Sequence, residues 1–493
     1  MAIELKMGIS RPAALFAAVL GICASSSTPA FSNPRADEER RQAPHSSVHL
    51  VRAIWEEAAF TAINGLIYRL DLKTEKPDWV YDLTWHDQIG RLWISKWVYD
   101  ANDFMVNFTH VPQGIVNHLI ARSNGLNLFE SILFGAASSF VWEAIPEYHE
   151  QISINDMIHT PWTGFVLGEN LFDLGKYFRS RGLGSLGRIL SWVVDPLSAL
   201  NGLLNGSPSP APAKTSPSPS DAHAGISLVA GSERIADRPS SSGALGVEWS
   251  HRFVPEPPLS SDRAGGRLDN PLGADLDMRC LFYPEGHLGI SISSQVLIAG
   301  HVSPDRFYYG LASALDFAWS DRAGWTDRLL STDLAGLAGG FVLSRRDFRL
   351  EASAALYGHF SMVRPAALED YLQTRDLQGV RTTLRESQYY FAWGPSACAR
   401  FLCRFKAFEI TGSLNYRDFI PTAGQERYPE TITRDLKLAD TRTGWRLSAG
   451  ISLAEDQALI FIAAEGLRRW GRMDDIVTSR SLVSLNAGLM LSF

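Results

Sequence analysis

Several features that announce a common chemistry are missing from this chain. Its four cysteines among 493 residues are too few for a disulfide scaffold. No two of them form a CxxC pair, which excludes a zinc ribbon. There is no Gly-x-Ser-x-Gly elbow. Gly182 to Gly187 matches GxGxxG by letter, but no strand precedes it, so it reads as a turn. A formal net charge of -7 is mild and gives no footing for nucleic acid. Long apolar runs are equally scarce. The only long one, Pro12 to Cys23, excludes a multi-pass helical membrane protein.

That run fits a signal peptide over residues 1–30. Lys6 and Arg11 precede it, and Thr28-Pro29-Ala30 offers a small-x-small cleavage site. Export is the expectation. Residues 31–46 are polar and expected to be disordered. Cleavage leaves Cys280, Cys398 and Cys403. Cys398 and Cys403 are spaced either to bridge across a turn or to remain free thiols.

A helical domain is expected over residues 47–204. Val51, Ile54, Trp55, Ala58, Ala62, Leu66 and Leu70 recur at steps of three and four, the period of an amphipathic helix. Trp79, Trp85, Trp93 and Trp97 follow, as a core aromatic cluster or a membrane-interface anchor. Three short helices come next. The first starts near Pro112 and stops at Asn124-Gly125. The second is capped by Asn127 with Glu130 and is ended or kinked by Pro146. The third starts after Ser153, with Asp156 as capping partner, and reaches about Phe178. Small residues around Gly135, and the pair Gly164 and Gly168, allow helix backbones to approach. Another apolar segment, broken at Pro196, closes the domain.

Residues 205–223 are a Pro/Ser-rich linker, favouring extended polyproline II. It implies halves that are joined rather than fused. From 224 to 493 the period drops to two. Trp445, Leu447, Ala449, Ile451 and Leu453 alternate with Arg446, Ser448, Gly450 and Ser452, as a strand does between lipid and water. About twelve such strands are expected, in an antiparallel transmembrane β-barrel. Long connections at 364–385 and 418–440 and a medium one near 471–480 alternate with short ones at 344–347, 399–404 and 454–457. The fold class is therefore α+β and multidomain, placed in the outer membrane with its helices on the periplasmic side.

The runs NFTHVPQG, ARSNGLNLFES, SSFVWEAIPEYHE, SINDMIHTPWTG and VLGEN, in order between about residues 100 and 180, resemble a family of Gram-negative envelope proteins that carry domain of unknown function 3943. The family commonly has His-Pro where this chain has His110-Val111-Pro112. A weaker likeness, in the order of His, Glu, Asp and Gly-x-x-x-Gly, connects to VanZ-like proteins. The resemblance implies an outer-membrane setting and no established activity.

The same stretch holds the candidate site. His110, Glu143, Glu147 and Asp156 are the residues that could divide acid and base roles or hold a divalent metal. Glu143 and Glu147, four apart, would share a helix face. Asn107, Arg122, Asn155 and Glu169 fit a binding or structural polar network, with Arg122 pairing Glu143. No cofactor is expected, a metal being the alternative. Three roles follow. The helices act as plug, scaffold or ligand-binding module of a non-enzymatic barrel; or the chain is an envelope hydrolase acting on lipid or peptidoglycan; or the barrel is a transport pore. Expected partners are outer-membrane lipid, the barrel insertion machinery and an envelope partner, and no nucleic acid.

Overall fold

The change of period near residue 222 is a change of architecture. The computed structural model describes residues 48–75, 85–148, 150–180, 184–205, 222–236, 241–253 and 271–492, except positions 285, 304–306, 323, 423, 428–430 and 454–456. The signal peptide, residues 31–46, Trp79 and most of the linker lie outside the described residues.

Twelve strands run from β1 (Ala222–Ile235) to β12 (Ile476–Ser492). Each pairs antiparallel with the next, and β1 pairs with β12 to close the barrel. Closure leaves no strand edge unpaired, which is what hydrocarbon demands of a sheet. The alternating side chains then separate. Leu228, Leu245, Leu447 and Leu485 are exposed on the outer surface. Acidic and basic residues turn inward and pair across the lumen between strands that are not neighbours. Arg446 of β10 (Leu438–Leu453) meets Glu248 of β2 (Ser241–Phe253) at 2.8 Å. Arg400 of β8 (Tyr390–Phe405) meets Asp275 of β3 (Gly273–Phe282) at 3.3 Å. Arg442 meets Asp327 of β6 (Trp325–Arg345) at 2.7 Å. A void bordered by Asp316, Asp333, Tyr357 and Arg417 measures about 10 Å³, the room of a single water.

The long connections at 364–389 and 422–437 share one rim, and the two ends of the barrel segment share the other. Two expected connections dissolve into strand. The stretch near 471–480 is a tight turn at Asp474, since Met473 pairs directly with Ile476. Residues 399–404 belong to β8, and the turn falls at Lys406. Cys398 and Cys403, five apart on one strand, sit on opposite faces and are free thiols, so the bridge does not form.

Among the described residues before the barrel, the α-helices are α1 (Leu50–Glu75), α2 (Trp85–Gly90), α3 (Phe104–Phe108), α4 (His110–Ser123), α5 (Leu128–Ala144), α6 (Ile154–Ser180), α7 (Gly184–Val194) and α8 (Pro196–Leu204). The local signals hold. Asn127 and Glu130 form a reciprocal capping box on α5, the Asp156 amide donates to Ser153 Oγ at 3.2 Å, and Gly125 turns the chain with positive φ. The third helix is not short. α6 has 27 residues, about 40 Å at 1.5 Å per residue. Trp93 is exposed and joins no core cluster.

The helices do not enter the lumen. Asp275, Asp316, Ser331 and Ser361 share the lumenal parity of the pairing registers, so Leu276, Leu315, Phe317, Leu330, Phe360 and Met362 face outward. These outward residues are buried, in one cluster with Tyr99, Phe104, Val111, Phe165, Val166 and Leu167 of the helical region. The expectations of a plug, and of halves joined without fusing, give way for this reason: the apolar residues of both parts meet on the outside of the barrel.

α6 runs from rim to rim along that wall. Just before it, Val98 bridges Ser153, and the Tyr99 amide donates to the Gln425 carbonyl at 2.7 Å, beside the long loops. Near its end, Phe178 and Tyr177 meet Trp249 and His251 of β2, toward the rim where the barrel segment begins and ends. Midway, Asn170 Nδ2 donates to Ser294 Oγ at 3.0 Å, and His159 Nδ1 lies 2.8 Å from Thr332 Oγ1.

Candidate functional site

Two polar clusters lie inside the helical region. The first forms where α4 crosses α6. His110, Gly114, His118 and Arg122 follow one another at steps of four on α4, and Thr160, Gly164 and Gly168 do so on α6. Such rows are the ridges that helices interlock. At the crossing there is no room for a side chain. A Cβ on Gly164 would lie 2.2 Å from the Gly114 carbonyl carbon, and one on Gly168 would lie 2.9 Å from His118 Cβ. Gly135 is different: a Cβ there meets nothing within 4 Å, so it is not a packing glycine of this kind.

Beside the crossing, Glu169 accepts from Arg122 Nη2 at 2.9 Å, and its other oxygen lies 2.7 Å from His118 Nε2. Arg122 also donates to the Leu126 carbonyl at 2.9 Å and stacks on Phe172. All three charged or ionisable groups are buried. The expected Arg122–Glu143 pair does not form. Arg122 and Glu169 face each other across the α4–α6 contact, whereas Glu143 projects from the end of α5 toward the start of α6.

The second cluster gathers at the start of α6, at the long-loop rim. Asn155 Nδ2 donates to Asp156 Oδ1 at 3.0 Å, and Asn155 Oδ1 accepts from the Asp100 amide at 2.8 Å. Asn107 Nδ2 donates to the Tyr389 hydroxyl at 2.8 Å, tying the cluster to the barrel. Glu143 Oε2 accepts from the Ser153 amide at 2.9 Å, while its other oxygen is buried without a hydrogen bond. His110 Nε2 stands 3.6 Å from Asp156 Oδ1, beyond hydrogen-bond reach. Arg427, from the loop after β9 (Phe408–Pro421), meets Glu150 at 2.7 Å and Asp100 at 3.2 Å.

Glu143 and Glu147 do not share a helix face, because α5 ends at Ala144 and Glu147 follows in a turn. There Glu147 accepts from Trp142 Nε1 at 2.9 Å. Burial, then the neighbouring Glu147 and Asp156 charges, pushes the Glu143 carboxyl well above its usual range. Burial, then Glu150 and Asp156, does the same to Glu147. Asp100 is raised by burial against the pull of Arg427. Among the described residues, no three His, Cys, Asp or Glu side chains are arranged to hold a metal ion.

The structure thus brings His110, Asn107, Asn155, Asp156 and Glu143 into one neighbourhood and Arg122 and Glu169 into another. Asp100, Gly114, His118, Glu150, Tyr389 and Arg427 also belong and were not singled out. Only Gly114 and His118 had a sequence signal, their four-residue step between His110 and Arg122.

A closed antiparallel barrel with an apolar outer face and a charged lumen is an outer-membrane β-barrel. Its helical part matches, over residues 96–197, the family model described as domain of unknown function (DUF3943). Among solved structures, the KdgM porin in complex with disordered oligogalacturonate is similar at 10% identity, over 54% of this chain and 99% of that one, with a TM-score of 0.24. The β domain of the Bordetella autotransporter BrkA is similar at 13% identity, over 55% and 100%, with a TM-score of 0.24. The COG4313 outer membrane channel from Pseudomonas putida F1 is similar at 9% identity, over 55% and 95%, with a TM-score of 0.26. No curated protein matches the chain.

Proposed function

We propose that the helical domain is a scaffold fastened to the flank of the barrel, and that the chain is a structural outer-membrane protein rather than an enzyme. The observation that carries this reading is the single buried cluster shared by α4, α6 and the outward side chains of β3 to β8. Both polar clusters support it. Arg122, His118 and Glu169 join α4 to α6, and Asn107, Asn155 and Tyr389 join the helices to the barrel. The hydrolase reading needs His110 and Asp156 in hydrogen-bond contact, and their 3.6 Å separation weighs against it. Cross-lumen ion pairs weigh against both plug and open pore.

The test is a disulfide between the two parts. Asn170→Cys and Ser294→Cys are placed in a chain whose native cysteines are serine, with a protease site engineered between residues 206 and 221. After oxidation in intact outer membranes, cleavage should leave the fragments joined until reductant is added. Fragments that separate without reductant would remove the docking on which the scaffold reading stands.

A further inference from the structure

We infer that the outer surface of the helical domain is bathed in the acyl chains of the outer membrane, so that the helices share the hydrocarbon layer with the barrel. The inference rests on the docking proposed above and adds a partner, lipid, for a face that nothing among the described residues covers. The expected periplasmic position of the helices is replaced by it.

The first argument is the direction of the side chains. α1 is inside out by the standards of a helix in water. Its exposed side carries Val51, Ile54, Trp55, Leu66 and Leu70, with Trp55 71% exposed. Its charged Glu56 points inward, 9% exposed, and accepts from Asn124 Nδ2 at 2.6 Å. α5 repeats the inversion, with Phe129, Leu133 and Val141 outside and Ser131, Ser138, Ser139 and Glu143 buried. So does α7, with Leu186, Ile189 and Val193 outside and Gly187 and Ser191 inside. A surface helix in water buries its apolar stripe. Helices in lipid pack through small and polar residues and turn apolar ones outward. The exposed charges among the described side chains of α1, α5 and α7 are Glu130, in the first turn of α5, and Arg188, whose long stem lets its head reach the interface.

The second argument is position. α6 lies against the outward face of the strands from one rim to the other, where lipid lies on the rest of the barrel. With α6 in place, the lipid boundary on that flank moves out to the next layer, α1, α5 and α7. The apolar belt of Leu447 and Leu485 on the bare wall then continues over the helices without a gap in kind. A partner protein or a second copy would need a reason to seek this flank. Lipid is already there.

The experiment is nitroxide scanning of the whole protein in phosphatidylethanolamine–phosphatidylglycerol vesicles, in a chain whose native cysteines are serine. Labels go at Ala62, Val141 and Ile189, with Leu447 as the wall control and Asp475 as the water control. Collision with oxygen and with a neutral nickel chelate is read at each. The expected result is high oxygen and low nickel accessibility at all three helix sites, matching Leu447. Nickel accessibility like that at Asp475 would put the face in water and overturn the inference. Low accessibility to both would mean that protein covers it, and would equally overturn it. The Asn170–Ser294 crosslink in the same labelled chains separates the two failures. A crosslink with nickel-accessible labels leaves the scaffold standing and removes the lipid. No crosslink removes both.

Discussion

At the scale of single residues, Glu169 is the group the helical domain can least do without. It is fully buried and is the carboxylate that compensates Arg122. Glu169→Ala leaves a buried guanidinium alone, and the expected loss is about 3–5 kcal/mol in denaturant unfolding of the helical domain. Glu143 is expected to behave oppositely. It makes one backbone hydrogen bond and its carboxyl is raised, so Glu143→Gln resembles the protonated native group and should fold normally. The raised carboxyls set a pH dependence with a definite sign. Their folded form binds protons more tightly than the unfolded chain, so stability falls as pH rises from the ordinary carboxylate range upward. Unfolding midpoints should be higher at pH 5 than at pH 8, and Glu143→Gln should flatten the slope. Arg122 and Glu169 were legible as members of a polar network. Their pairing was not, because spacing along a helix gives a face and not the neighbour across from it.

At the scale of elements, the α4–α6 crossing depends on two glycines 50 residues apart in sequence. Gly164→Val drives a branched side chain into the Gly114 backbone, where no flexible group can yield. Overpacking of this kind costs about 1–3 kcal/mol or more. Gly135→Ala should stabilise by roughly 0.5–1 kcal/mol, since it adds helix propensity with nothing to clash. Thermal melts of the two variants, side by side, check the contrast. The strands were legible because alternation survives in either direction of burial. The helix α1 was legible as a helix, from the same stripe that the structure turns outward. A period says that a helix has two sides, but which side is buried depends on the solvent, and the solvent is not written in the period.

At the scale of the whole molecule, the lumen is laced by arginines and carboxylates that join opposite walls. Purified protein in planar bilayers is expected to show no steady conductance above that of the bare membrane, and a stable open-channel current would contradict a closed lumen. The sequence revealed two architectures but placed them apart, because the proline-rich linker carries no information about docking. The information lay in side chains such as Phe317, Phe360 and Phe165, ordinary apolar residues whose meeting is a tertiary event.

The inverted helix α1 also bears on how such a protein reaches its membrane. A chain bound for the outer membrane first crosses the inner one, where a sufficiently apolar helix is arrested. None of the described helices is long and apolar enough to cross a membrane by itself. Arg52, Glu56 and Glu57 in α1 are among the charges that keep it short of that threshold. Only when those charges find Asn124 and their other partners does its apolar side turn outward over the domain. Transit competence and lipid competence are thus two states of one helix, and folding onto the barrel is the step that converts the first into the second.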